Sequence, residues 1–471
     1  MLLITWIFFL GGSDPEWGSF RGPGGAGLAL PGAYPDALDP AANLRWRTPV
    51  PAGFSSPVVA GERLFLTGAR ETVDGKTTKG ELVTLCLDAA TGAIRWQQAV
   101  PFEGAVPGRG SSAAPTPATD GTRVVALFHH FGLLAYDLDG KELWRQPLGP
   151  FRLPHGMSSS PLLADGLVVV QVDQDAGAHV SAYDAATGEP RWRVERPEFS
   201  FAYSSPALLR PAEGPPQVVV LGALKVVSYA LASGEPAWWF EGPSRQPKGI
   251  PVVTGGRVYV KAYSRPLSDL RLPGFDADFT KLLADRDKDG DGKLARGEFP
   301  LPRIQEMWEG IDVSGDDLLD GPEWTLALTD RQGGLFALGL GGSGDVAERI
   351  AWLVDDRRTL GGLASPVVVG ETLFLVGEGG LVSSLSLADG ALVKQERVGE
   401  PDSYYASPVA ADGKLYLASF GGLLTVLAAE ADWKVLATHA LEEATIWSTP
   451  ALAHGRVYVR STEALLCFGG E

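Results

Sequence analysis

The chain has 471 residues, 45% of them apolar, with 59 glycines and 35 prolines. That apolar share excludes disorder, and short apolar runs bounded by Gly and Pro exclude a mainly helical fold in favour of a turn-rich β architecture. A net charge of −17 argues against nucleic acid or an anionic membrane as the main partner, since either needs a basic face.

In chain order, MLLITWIFFLGGS comes first, an apolar run from Leu2 to Leu10 followed by small residues. Residues 1–13 read as a secretory signal and the protein as periplasmic or secreted, although no Lys or Arg precedes the run. The run is too short to span a bilayer, so no membrane span is expected. Residues 14–41 are an N-terminal segment, and 42–471 carry a repeat.

The repeat phrase is a small residue, Pro, two or three apolar residues, a Gly turn and an alternating apolar strand. Its prolines are Pro57, Pro117, Pro161, Pro206, Pro251, Pro366, Pro408 and Pro450, at spacings of 60, 44, 45, 45, 115, 42 and 42. A period in the low forties suits a four-stranded propeller blade. A second phrase follows, as in LVTLCLDAATGAIRW and VSAYDAATGEPRW: a strand, a tight Asp/Thr/Gly hairpin turn, and a short strand ending in Trp96, Trp144, Trp192 or Trp238. A large aromatic at a fixed repeat position fills the wedge between neighbouring sheets.

The last blade, from IWSTPALAHGRVYV onward, stops before its Trp strand, whereas NLRWRTPV (43–50) is a Trp strand with no blade before it. The expected fold is therefore all-β: an eight-bladed β-propeller closed by an N-terminal strand. Cys86 and Cys467 fall at one repeat position in blades one and eight, and read as two buried free thiols. They are too few for a disulfide framework or a four-ligand zinc site.

The spacing of 115 marks an insertion in blade five, residues 265–330, reading as helix, loop, helix, twice. FDADFTKLLADR places Phe275, Phe279, Leu282 and Leu283 on one helical face. DKDGDGKLARGE (287–298) matches an EF-hand calcium loop, with ligands Asp287, Asp289, Asp291, the Lys293 carbonyl, a water at Ala295 and bidentate Glu298; Gly292 makes the turn. DVSGDDLLDGPE (312–323) offers Asp312, Ser314, Asp316, the Leu318 carbonyl, Asp320 and Glu323. Its sixth position is Asp317 where Gly is expected, so the second site should be the weaker. One or two Ca²⁺ in a paired, permanently loaded structural module is the expectation.

WGSFRGPGGAG (17–27), LGLGGSGDV (338–346) and YYASPVAADGKLYLAS (404–419), with the blade phrases, resemble exported bacterial proteins built of PQQ-type propeller repeats, some with an EF-hand insertion. The repeat is shared by quinoprotein alcohol dehydrogenases and by the non-enzymatic propeller of outer-membrane protein assembly. A quinoprotein enzyme implies a quinone clamped between a Trp and a vicinal Cys–Cys disulfide, with Ca²⁺ held by Glu, Asn and Asp. This chain has no adjacent cysteines, and its single asparagine is Asn43, in the closing strand. PQQ is therefore not expected, and quinoprotein dehydrogenase is the alternative reading. The pair His129 and His130 has no acid fixed near it by spacing, and LGGSGDV reads as a turn between strands. The reading that remains is a calcium-binding scaffold for a protein or glycan, bound through a propeller face or the EF-hand rim.

Overall fold

Each proline-led phrase becomes one four-stranded antiparallel blade, and eight blades stand around one axis. The computed structural model describes residues 15–469 except 106, 109, 150, 154, 175–176, 198, 200, 245–246, 264–275, 277, 300, 313–315, 329–332 and 443–444. In blade one the strands run Val58–Ala60, Arg63–Asp74, Thr77–Asp88 and Ile94–Ala105, from the axis outward. The first is wholly buried, whereas the outermost is largely exposed. Inner strands are covered on both faces by neighbouring blades, so they read as continuous apolar runs rather than alternating ones. Among the described residues no helix is long and apolar enough to cross a membrane.

The ring closes as the sequence implied. Leu44–Pro49 pairs antiparallel with Ala464–Gly469, bringing Trp46 opposite Cys467 and completing the eighth blade. Closure removes the free strand edges that an open stack would leave. Cys86 and Cys467 are buried free thiols in separate apolar clusters.

Two sets of polar contacts join blade to blade. At the axis, the backbone N–H of the residue before each repeat proline donates to the next blade's hydroxyl at the same position. Ser56 donates to Thr116, Thr116 to Ser160 and Ser160 to Ser205; Ile250 donates to Ser365, Ser365 to Ser407, Ser407 to Thr449, and Thr449 back to Ser56, all at 2.8–3.0 Å. At the rim, the indole N–H of Trp96, Trp144, Trp192 and Trp352 donates at 2.9 Å to a carbonyl at the next blade's hairpin turn. Each ring lies on that turn's glycine: a Cβ on Gly188 would fall 2.7 Å from Trp144.

The junction of blades four and five departs from both rules. Ile250 replaces the axial hydroxyl, and the Trp238 indole bonds Gln217 within its own blade. The LGGSGDV stretch, expected as a turn alone, also adds Gly344–Asp345 in parallel to the outer strand of blade four. Gly341, Gly342 and Gly344 all have positive φ, the backbone conformation that favours glycine in this approach.

Blade five consists of Val252–Thr254, Arg257–Tyr263, Gly333–Gly339 and Ile350–Val354, and the insertion lies between its second and third strands. It holds α1 (Phe279–Arg286), α2 (Pro302–Ile311) and α3 (Gly321–Leu328). Two complete helix–loop–helix units would need four helices; the described residues hold three. Pro302 occupies the first turn of α2, and a proline ring clashes with any preceding helical turn, so no helix runs from the first loop into α2. Of the predicted helix face, Phe275 lies outside the described residues; Leu282 is buried, with Phe279 and Leu283 packed beside it.

Residues 15–41 cross the axis at the end where each first strand turns into its second. Trp17 exchanges backbone hydrogen bonds with Val59 of blade one, the Gly18 carbonyl accepts from Thr119 of blade two, and Ala29 bonds Ala410 of blade seven. Between them Arg21, fully buried, donates to the Pro366 carbonyl of blade six at 2.5 Å. Glycine is required here: a Cβ on Gly22 would stand 2.5 Å from the Trp17 ring, and both residues 21 and 22 have positive φ. The segment is thus an axial plug. Burial without a carboxylate partner pulls the Arg21 guanidinium down to about 9.

Candidate metal centre and axial mouth

The two acidic loops of the insertion lie side by side. Leu294–Ala295 and Leu318–Leu319, from the eighth and neighbouring positions of each loop, form a two-stranded antiparallel ribbon with Leu294 opposite Leu319. Both leucines are fully buried among Leu282, Phe299, Ile304, Trp308, Ile311 and Trp324, a small core separate from those of the blades. Alternation along the ribbon turns one side chain of each strand into that core and leaves the flanking carboxylates outside it.

In the first loop, Asp287, Asp289 and Asp291 bring carboxylate oxygens within 4.8 Å of one another. Local N–H groups orient them: Asp287 accepts from Gly290 and Gly292 at 2.7 and 3.0 Å, and Asp291 accepts from Lys293 at 2.7 Å. Gly292 has φ +81, the left-handed turn that this position demands. Glu298 stands outside the three-carboxylate group and accepts from the N–H of Lys288 and Ala295, which hold its carboxyl below the usual range.

In the second loop, Asp312, Asp316 and Glu323 form the corresponding group within 4.8 Å. Asp312 and Glu323 are buried, whereas Asp316 is exposed and lies 2.7 Å from the Lys293 ammonium of the first loop. Asp320 bonds the Glu323 backbone at 2.9 Å rather than joining the group, and Ser314 lies outside the described residues. Asp317 takes φ +65 in place of the missing glycine. Three carboxylates this close repel one another, and a divalent cation with oxygen ligands relieves that repulsion directly. The donor set therefore fits Ca²⁺, with the Lys293 and Leu318 carbonyls available at the seventh positions.

A second feature was not read from the sequence. The second and third strands of every blade meet at the same end as the loop leading into the next blade, so the insertion leaves the propeller on the face opposite the plug. On that face lie the loops that lead into the first strands, whose residues three before the repeat proline include Phe54, Tyr203, Tyr405 and Trp447. Phe54, Trp447 and Tyr405, from blades one, eight and seven, form a continuous stack with centroid distances of 4.3 and 4.4 Å, and Phe420 meets both Trp447 and Tyr405 edge-on. Lys248 and Leu363 occupy the same position in blades five and six, next around the ring from blade seven. One repeat position in variable residue types is the signal that would have exposed this rim, but it shows only once the blades are superposed.

Beneath the rim, the second strands of blades five and eight carry cations at equivalent positions. Lys261 donates to the Gly362 and Ala364 carbonyls at 3.0 and 2.9 Å, and Arg460 to the Ser55 and Pro51 carbonyls at 2.8 and 2.9 Å. Both are buried, which lowers Lys261 to about 7 and Arg460 to about 9. Each clasps the lead-in loop of the following blade. His129 accepts from the Met157 N–H through Nδ1, and His130 stacks on Phe102 at 4.7 Å, so this pair is committed to packing.

The residues present do not fit a quinone. Burial pushes the Cys86 and Cys467 thiols up to about 12, in separate sheets, and Asn43 spends its amide on the Ala37 carbonyl and the Asp39 N–H.

No curated protein sequence matches this chain. Three solved structures share its fold. BamB from Moraxella catarrhalis is 11% identical, with a TM-score of 0.54 over 90% of this chain and 98% of its own. A europium-containing methanol dehydrogenase is 12% identical, with a TM-score of 0.55 over 94% and 89%. The computationally designed protein Ika8 is 8% identical, with a TM-score of 0.51 over 91% and 98%. At such identities the likeness is one of architecture alone. The model of the family described as outer membrane protein assembly factor BamB matches residues 37–152, 79–265 and 207–468, and the chain therefore belongs to this family of PQQ-type β-propeller repeat proteins.

Proposed function

We propose that this protein is an exported, calcium-binding propeller scaffold without catalytic activity, holding a protein or glycan partner. The observation that carries the calcium reading is the pairing of two carboxylate groups by the Leu294–Leu319 ribbon, each framed by N–H donors that orient the acids toward a common point. The two units are an EF-hand pair in which α2 serves both loops. Asp287, Asp289, Asp291, Lys293 and Glu298 would hold one ion, and Asp312, Ser314, Asp316, Leu318, Asp320 and Glu323 the other. Metal binding supplies folding free energy to a module whose own core is small.

The scaffold reading is supported by the family description, which names an assembly factor, and by the misfit of the quinone. The apolar run at Leu2–Leu10, outside the described residues, supports a periplasmic or secreted location. Calorimetric titration of Ca²⁺ into chelator-stripped protein tests the metal reading: two binding events are expected, the first lost in Glu298→Gln and the second in Glu323→Gln. No heat in the parent protein would overturn it. Quinone-dependent dye reduction with an alcohol substrate would overturn the non-enzymatic reading.

A further inference from the structure

With the plug of residues 15–41 across one end of the axis, the propeller has one open mouth, on the face from which the calcium module projects. Three observations describe what that mouth would take. Its rim is apolar on one side, where Phe54, Trp447 and Tyr405 stack while remaining partly exposed. Farther round the ring, in blade five, Lys248 is exposed and the buried Lys261 lies behind it, both lining one cleft between blades five and six. Among the described residues neither lysine has a carboxylate within ion-pair distance; Glu378 acts on both from farther away. In a chain of net charge −17 this is a local reversal of sign.

The cleft holds about 40 Å³ and opens to solvent, room for a side-chain carboxylate reaching in from outside. We propose that the axial mouth docks an acidic segment of a partner polypeptide, seating a carboxylate on the exposed Lys248 and an apolar side chain on the Phe54–Trp447–Tyr405 stack. The proposal rests on the scaffold reading and adds the face, the residues and the partner's chemistry.

The test uses the full chain with calcium present and a fluorescein-labelled glutamate–tyrosine copolymer as probe, read by anisotropy. Saturable binding is expected, with polyglutamate weaker because it lacks the aromatic. Lys248→Glu and Trp447→Ala should each weaken the copolymer by about tenfold or more, as central charged and aromatic contacts do. Lys434→Glu, in the hairpin turn before the outer strand of blade seven, should leave it unchanged. Thermal melts establish that each variant folds, and Lys248→Glu, at an exposed position, decides the matter if Trp447→Ala does not fold.

Equal binding by all variants, no binding, or binding of polygalacturonate in place of the copolymer would overturn the proposal. Calcium heat without copolymer binding would sink this inference and leave the metal reading standing. Copolymer binding without calcium heat would do the reverse.

Discussion

The ring and the inserted module solve the same problem with opposite means. The blades of the ring have inner strands buried on both faces and are tied by seven axial N–H to hydroxyl bonds and four indole to carbonyl bonds between blades, with a buried Asp173–Arg196 pair at 2.7 Å inside blade three. Among the described residues the insertion has eight buried apolar residues and, beside them, six carboxylates in two groups, each crowded enough to repel internally. The ring rests on contacts the chain itself supplies, while on the proposed reading the module would take a cation from outside. It would then be a metal-dependent part, with its own core, on a metal-independent frame.

Chelation should separate the two most sharply. With Ca²⁺ removed, limited proteolysis is expected to cut between 279 and 328 while the melting of the ring is unchanged; simultaneous loss of both would show that the module is part of the ring's core. The next largest effect belongs to the ring. Asp173→Ala leaves the fully buried Arg196 without its countercharge and should cost about 3–5 kcal/mol in urea unfolding, with calcium affinity untouched.

Acid should also act on the ring through His129. Burial depresses this imidazole to about 4, below its ordinary ~6.5, so the folded state binds fewer protons than the unfolded one. Its contribution is complete above pH ~6.5 and is lost as pH falls through about 4, amounting to at most ~3 kcal/mol. Unfolding of the parent and His129→Asn across that range should show the parent's steeper loss; parallel curves would remove His129 from the account. The smallest effect sharpens the difference between the two loops. Asp317→Gly relieves a left-handed Asp, worth about 0.5–1 kcal/mol, and should tighten calcium at the second loop severalfold. An unchanged affinity would place the second loop's weakness elsewhere, in the Lys293–Asp316 pair.

Much of this was legible before any coordinates. The spacing of the prolines counted the blades, the unfinished last blade announced Leu44–Pro49 as its missing strand, and the alternation of acids in 287–298 marked carboxylates that the structure brings together. These features are local or periodic, and a period repeated eight times identifies itself. The shared helix was misjudged because two loops 25 residues apart look like two units, although Pro302 already forbade a continuous helix after the first.

What only the tertiary structure decided are relations between positions far apart in the chain. Thr449 meets Ser56 across 393 residues, and Arg21 meets Pro366 across 345. The small residue before each proline was visible as part of the phrase, but not that it forms a ring of hydroxyls, nor that Ile250 breaks it. The plug, the aromatic stack and the lysine cleft between blades five and six are of the same kind. Sequence alone determines each blade, because its strands and turns are set by neighbouring residues; which blades touch, and which end of the axis stays open, are set by closure of the ring.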